Sequence, residues 1–313
     1  MRTRPLSRFT VGLLTACVFA ACLCEVNAQR PPEVASAGGS TAARPFSPDA
    51  RRVASHESLQ EDGAFDSLEQ ALRSPEKVRR LAIQGGDAEM RHLPAGLGTL
   101  VNLEALELSC LENLEDLPEE IGGLGKLREL VIDNGNGCSM NVALPRSIGR
   151  LADLRVLRLY GALDGRDAGS EDPARPPARK PLPDTLADLQ RLEELDLGRN
   201  GIGSVPPQVA SLRGLKKLGL DYNEIRELPS FVGELKNLEE LSLNSNGGVR
   251  LPPSLSGVKG LKVFMGNNRL TLREQKSLRA RFPSAVFSFE NEYDDDSANQ
   301  EPPKARARRG RRE

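Results

Sequence analysis

Between residues 94 and 266 large apolar side chains recur in a fixed rhythm that restarts at a proline. Pro94, Pro118, Pro145, Pro183, Pro206, Pro229 and Pro252 each follow a leucine or valine, and positions 3, 6, 9, 12 and 14 beyond each proline are apolar. From Pro94 these are Leu97, Leu100, Leu103, Leu106 and Leu108; from Pro229 they are Val232, Leu235, Leu238, Leu241 and Leu243. Of the 35 such positions 34 are apolar, with Gly266 the exception, although only 38% of the chain is hydrophobic, so the register is not chance. An α-helix would alternate steps of three and four. Steps of three predict a 3-10 or loosely extended return, and the closing step of two predicts a short strand with both side chains on one side. One such unit cannot bury its own leucines. Stacked units share a continuous core and align their strands in a parallel sheet, which predicts an α/β repeat solenoid.

These units resemble the leucine-rich-repeat family. The segments LEELDLGRNGI (192–202) and LKKLGLDYNEI (215–225) carry its LxxLxLxxNxI motif, and LPEEIGGLGKL (117–127) carries the return of its roughly 23-residue class. The resemblance covers residues 78–270 in about eight repeats and implies a curved horseshoe with a concave parallel β-sheet. It also implies that Asn200, Asn223 and Asn246 form an inward ladder bonding the turn backbone. Leu111, Gly135 and Ala162 stand in the equivalent slots of earlier rungs, so those turns must be bonded differently. The last rung, 261–270, is one residue short. The resemblance further implies caps: a short helical N-terminal cap over 56–77 and a C-terminal cap over 271–289. In FDSLEQALRSPEK, Asp66 or Ser67 is the N-cap residue, Leu68, Ala71 and Leu72 form the apolar face, and Pro75 ends the helix.

Outside the repeats the pattern changes. MRTRPLSR precedes the apolar run 9–24, which is shorter than the roughly 20 residues of a spanning helix and reads as an export signal. Cleavage after Ala28 predicts a signal peptide over 1–28 and an exported protein, whether extracellular, periplasmic or at the cell surface. The rival is Leu14-Thr15-Ala16-Cys17, a lipoprotein-like box that makes Cys17 a lipidation site. Residues 29–55 read as a disordered linker and 290–313 as a disordered tail, acidic first and basic last.

Proline-to-proline distances are 24, 27, 38, 23, 23 and 23, and the surplus lies between strand and next proline. It falls in 133–143 and 161–181, neighbouring loops on one edge. Such loops either form a specific surface or are tolerated insertions. The strand positions that point away from the core form a mainly acidic strip, from which Glu129, Val131, Asp133, Arg158, Tyr160, Glu194, Asp196, Asp221, Tyr222 and Glu240 are the candidate contacts for a protein or peptide ligand. A merely solvated face is the alternative for most of them singly.

Composition narrows the chemistry. With no Trp and 4% aromatics, leucine must build the core of this 313-residue chain, and a net charge of −1 gives no polyanion-binding signature and no nucleic-acid partner. Two histidines and no CxxC pair leave no metal site, and no phosphate loop, nucleophile elbow or cofactor motif is present, so no catalytic or cofactor-binding residue is expected. After cleavage only Cys110 and Cys138 remain; two free thiols are the expectation and a single bridge the alternative. The combined reading is a non-enzymatic interaction module, with a lipid-anchored envelope spacer as alternative; a membrane enters only through that anchor.

Overall fold

The computed structural model describes residues 63–85, 90–134, 140–164 and 180–289. The signal, the linker, Cys17, Cys138 and the tail lie outside the described residues, as do the middles of both lengthened loops, 135–139 and 165–179.

Ten strands form one parallel sheet in chain order. They are β1 (Ala64–Phe65), β2 (Arg80–Gln84), β3 (Ala105–Ser109), β4 (Glu129–Asp133), β5 (Val156–Tyr160), β6 (Glu194–Asp196), β7 (Lys217–Gly219), β8 (Glu240–Ser242), β9 (Lys262–Phe264) and β10 (Val286–Ser288). Each strand pairs with its sequence neighbour, and seven five-residue 3-10 turns, from Ala95–Thr99 to Pro253–Gly257, form the opposite side. The architecture is a leucine-rich-repeat solenoid. The triplet spacing predicts it: in each turn the amide three residues after the proline bonds the proline's carbonyl, as Leu186 N–H to Pro183 O at 3.0 Å. Proline opens the turn because its fixed φ suits that position and its missing N–H has no partner to lose.

Inside the stack Leu186, Leu189, Leu192, Leu195 and Leu197 are all at most 1% exposed, and each neighbouring rung repeats the arrangement. Burying one such side chain contributes about 2 to 3 kcal/mol. The helix Leu68–Arg73 closes the first rungs, with Ser67 as N-cap and Leu68 and Ala71 buried. At the far end the helix Leu272–Arg281 and β10 follow the last rung, and Phe282 and Phe287 are buried there with ring centroids 6.3 Å apart.

The last rung differs from the sequence count. Its missing residue falls before the strand, so Val263 and Met265 face the core, whereas the spacing rule had chosen Phe264 and Gly266. Pairing with β8 shows why: Leu241 aligns with Val263, and Ser242 with Phe264. The sheet register outranks the distance counted from the proline, and Gly266 is then no exception to the apolar rule.

A feature of the back was not read from the sequence. The fourth residue after each proline is small: Gly98, Gly122, Gly149, Ala187, Ala210, Gly233 and Ser256. Successive turns pack closely there. A Cβ on Gly233 would meet the Ser254 backbone at 2.3 Å, and one on Gly149 would meet the Thr185 carbonyl oxygen at 2.4 Å. Gly233→Ala is therefore expected to cost about 2 kcal/mol through overpacking, read as a lower urea midpoint. An unchanged midpoint would refute the close-packing account.

Candidate functional site

Strand pairing sets the sheet face in three rows. The first runs Glu129, Val156, Glu194, Lys217, Glu240, Lys262; the second brings Val131, Arg158 and Asp196 side by side; the third pairs Asp133 with Tyr160. From Glu194 to Lys262 opposite charges alternate along the first row, the cross-strand arrangement that stabilises a sheet. Glu240 stands between Lys217 at 3.7 Å and Lys262 at 3.4 Å.

Arg158 is the centre of the face. Its Nε donates to Glu194 Oε1 at 2.5 Å and its Nη1 lies 3.7 Å from Glu129 Oε1. Burial pulls the guanidinium down, but Glu194, Glu129 and Asp196 together hold it above its ordinary value. Asp196 is buried, and its carboxyl is pushed up to about 7, chiefly by burial. The Gly198 N–H, donated to Asp196 Oδ1 at 2.8 Å, opposes that rise, and the charge of Asp221 adds to it. Tyr160 lies over the residue after β6's turn-in, Gly198, where a Cβ would stand 2.8 Å from the ring. Burial pushes its hydroxyl up to about 12; Arg199 opposes this, and Asp196, Asp221 and Asp133 reinforce it. The phenol therefore stays a hydrogen-bond donor at physiological pH.

The ten candidate contacts separate by burial. Glu129, Val131, Asp133, Arg158, Tyr160, Asp221 and Glu240 are half-buried and Tyr222 is exposed. Glu194 and Asp196 are buried, so they shape the face from within and offer little area to a partner. Asp221 and Tyr222, read from the sequence as strand positions, lie beyond β7, which ends at Gly219. The reason is local: Tyr222 has φ 53°, and Cys110, Gly161, Arg199, Ser245 and Asn267 take the same left-handed conformation at the same point of their rungs. Asp221 instead fixes the next rung, its Oδ1 accepting from Ser242 Oγ at 2.6 Å and Asn244 N–H at 2.7 Å.

The asparagine ladder exists and is longer than the three residues expected. Asn200, Asn223, Asn246 and Asn268 are all buried. Asn223 Oδ1 accepts from the Asn200 and Ile202 amides at 3.1 and 3.0 Å, and its Nδ2 donates to the carbonyls of Leu197, Leu220 and Asp221. Asn268 repeats this, accepting from Asn246 and Gly248 and donating to Leu243 and Gly266. Its signal was present in MGNN once the one-residue deletion is placed before the strand. Asn134 is also buried, but one position earlier, and its Nδ2 reaches forward to Gly161 O at 2.9 Å. In the rungs whose slot holds Leu111 or Ala162, the strands run five residues, against three from β6 onward, and Asn200 serves the Ala162 rung, its Oδ1 accepting from the Leu163 N–H and its Nδ2 donating to Leu159 O.

Cys110 corrects one expectation, because it is disulfide-bonded and not a free thiol; its partner lies outside the described residues. Its Sγ lies 3.6 Å from the Asn134 carbonyl oxygen. His92 is exposed, with Nδ1 2.9 Å from Asp116 Oδ1 across two rungs. Among the described residues no group of His, Cys, Asp and Glu is arranged to hold a metal, and no helix is long and apolar enough to cross a membrane.

Residues 190–247 match the family model described as leucine rich repeat. A 133-residue stretch is 34% identical to the TMV resistance protein N of Nicotiana glutinosa; it covers 42% of this chain and only 10% of that protein. Among solved structures, a leucine-rich-repeat protein of Leptospira interrogans is similar at 23% identity and TM-score 0.43, over 72% of this chain and 64% of that one. An internalin of Listeria monocytogenes is similar at 17% identity and TM-score 0.48, over 72% and 65% of the two chains. By sequence, residues 190–247 carry the leucine-rich repeat, a domain type that in general mediates protein interaction and is typically non-catalytic.

Proposed function

We propose that this chain is an exported, non-catalytic interaction protein that binds a protein or peptide through its sheet face and the edge carrying the loops 133–143 and 161–181. The observation that carries the reading is the patch at β4 to β6. There Tyr160, a residue type enriched in binding hot spots, lies half-buried beside Arg158 and between the carboxylates of Asp133 and Asp221. The ion pairs beneath it and the ladder beside it hold this patch rigid, so little ordering entropy is lost on binding. The two long loops leave the chain directly after β4 and β5, which brings their stems to the same rim. The disulfide at Cys110 supports export, because such bonds persist in oxidising compartments.

The test is photocrosslinking from position 131 in the sheet face and from position 126, off that face in the segment leading into β4, in the organism's own extracellular or envelope fraction. Crosslinks from 131 alone, abolished by Arg158→Ala with Tyr160→Ala, are the expected result. Equal labelling from 126, or labelling that survives the double substitution, refutes the face. Mass spectrometry of the mature N-terminus tests export separately. A chain starting at Gln29 supports secretion, one starting at a modified Cys17 replaces it with a lipid-anchored envelope protein, and an unprocessed chain sinks both.

A further inference from the structure

Along the solenoid, cations are matched to acids across the rungs. Arg79 pairs with Glu104, Arg91 with Glu115, Arg155 with Glu193 and Arg250 with Glu227. The C-terminal cap breaks this habit. From Met265 to Phe289 the charged residues are Arg269, Arg273, Lys276, Arg279 and Arg281 against the single acid Glu274. None of these five cations forms an ion pair among the described residues, and all are exposed. Glu274 is itself committed to the capping box, accepting from the Thr271 N–H and hydroxyl, both at 2.8 Å.

The helix Leu272–Arg281 that carries four of these cations has no fully buried residue. It is held by its capping box, by the partly buried Leu278 and by the aromatic cluster beyond it, so its outer surface is not used in packing. At 100° per residue, Leu272, Arg273, Lys276 and Ala280 share one outward face, with Arg279 at its edge over the Phe289 ring. On it Leu272 is 66% exposed, the most exposed large apolar side chain among the described residues. This face sets long cations around a bare leucine. It fits an acidic lipid surface, where cations meet headgroup phosphates while their stems and the leucine enter the apolar boundary. Residues 290–313 set Glu290, Glu292, Asp294, Asp295, Asp296, Glu301 and Glu313 against Lys304, Arg306, Arg308, Arg309, Arg311 and Arg312, so they add no net positive charge and the docking rests on the helix face.

We propose that the outward face of the C-terminal cap helix docks on a membrane surface bearing acidic lipids, orienting the solenoid with this end against the bilayer. A polyanion such as nucleic acid is the competing partner. The cap lacks what would favour it, since its aromatic rings are engaged: Phe282 and Phe287 are buried and Arg279 covers Phe289 at 5.0 Å. The docking does not depend on the proposed protein-binding face.

The test is flotation of the mature chain with vesicles of phosphatidylcholine alone or with about 30% phosphatidylglycerol, at 50 and 300 mM salt. Binding only to the acidic vesicles, weakened by salt, is expected, because each cation near such a surface raises partitioning roughly fivefold. Arg273→Glu with Lys276→Glu should reduce binding more than tenfold, and removal of residues 304–312 should reduce it less. Leu272→Ser should weaken vesicle binding and leave retention on a single-stranded oligonucleotide column unchanged. Circular dichroism of each variant, matched to the parent, shows that the cap is folded. The proposal is overturned by equal binding to neutral vesicles, by binding lost with the tail alone, or by a tighter interaction with the oligonucleotide than with the acidic vesicles.

Discussion

Asn223→Ala should lower the unfolding free energy by about 4 kcal/mol, the largest effect of any single ladder substitution. The side chain bonds two amides, of Asn200 and Ile202, and three carbonyls, of Leu197, Leu220 and Asp221, and it is 7% exposed. Alanine leaves these groups buried without partners, and each such orphan costs about 1 to 3 kcal/mol. Part of the loss is recovered by groups with a second partner, which is why the sum stays near 4. Urea unfolding measures the loss, and hydrogen exchange locates it: the Asn200 and Ile202 amides should exchange far faster than those of β3. Because repeats couple mainly to their neighbours, the variant should also broaden the transition as rungs from β6 onward separate from the rest. A loss below 1 kcal/mol would mean that the ladder is ornamental to stability.

The second large effect is a gain. Asp196→Asn should stabilise the protein by about 4 kcal/mol at pH 8 and by less than about 1 kcal/mol at pH 4. The sign follows from the raised carboxyl. Folded Asp196 titrates at about 7, above the 3.8 of an unfolded aspartate, so the folded state holds the proton more tightly. Stability from this group is fully present below about pH 3.8, falls as pH rises, and is gone above about 7. Asparagine is neutral throughout and can still accept the Gly198 N–H that now bonds Asp196 Oδ1 at 2.8 Å. Thermal melts of both proteins from pH 4 to 8 should diverge through this window. If Arg158 holds the carboxylate strongly enough to offset its burial, the curves will stay parallel and the carboxyl is not raised.

Asp196 and Asn268 show where the sequence stopped being readable. The strand register placed Asp196 on the sheet face, which reads as solvent, and nothing local announces that Arg158, Glu194 and Tyr160 close over it. Arg158 and Tyr160 come from β5, 38 and 36 residues earlier, across the longest insertion in the chain. Asn268 was hidden by a one-residue deletion. A period counted from proline passes over it, whereas pairing of Val263 with Leu241 finds it at once. The glycines at 98, 122, 149 and 233 were equally silent, because each is dictated by the backbone of the following rung and not by its own turn.

The repeat itself was legible up to the last rung, where the one-residue deletion shifts the core to Val263 and Met265. Leucines at a three-three-three-two spacing have only one way to leave water, so the rung, its 3-10 back and its short strand follow from the residues, and the inward asparagines at 200, 223 and 246 from the resemblance to leucine-rich repeats. What the stacked structure decided was everything that depends on which rung meets which: the buried state of Glu194 and Asp196, the turn that takes Tyr222 off the strand, and the unmatched cations of the last helix. The reason is physical. A rung's interior is set by its own side chains, whereas burial, charge and backbone clearance on its faces are set by neighbours about 23 or more residues away.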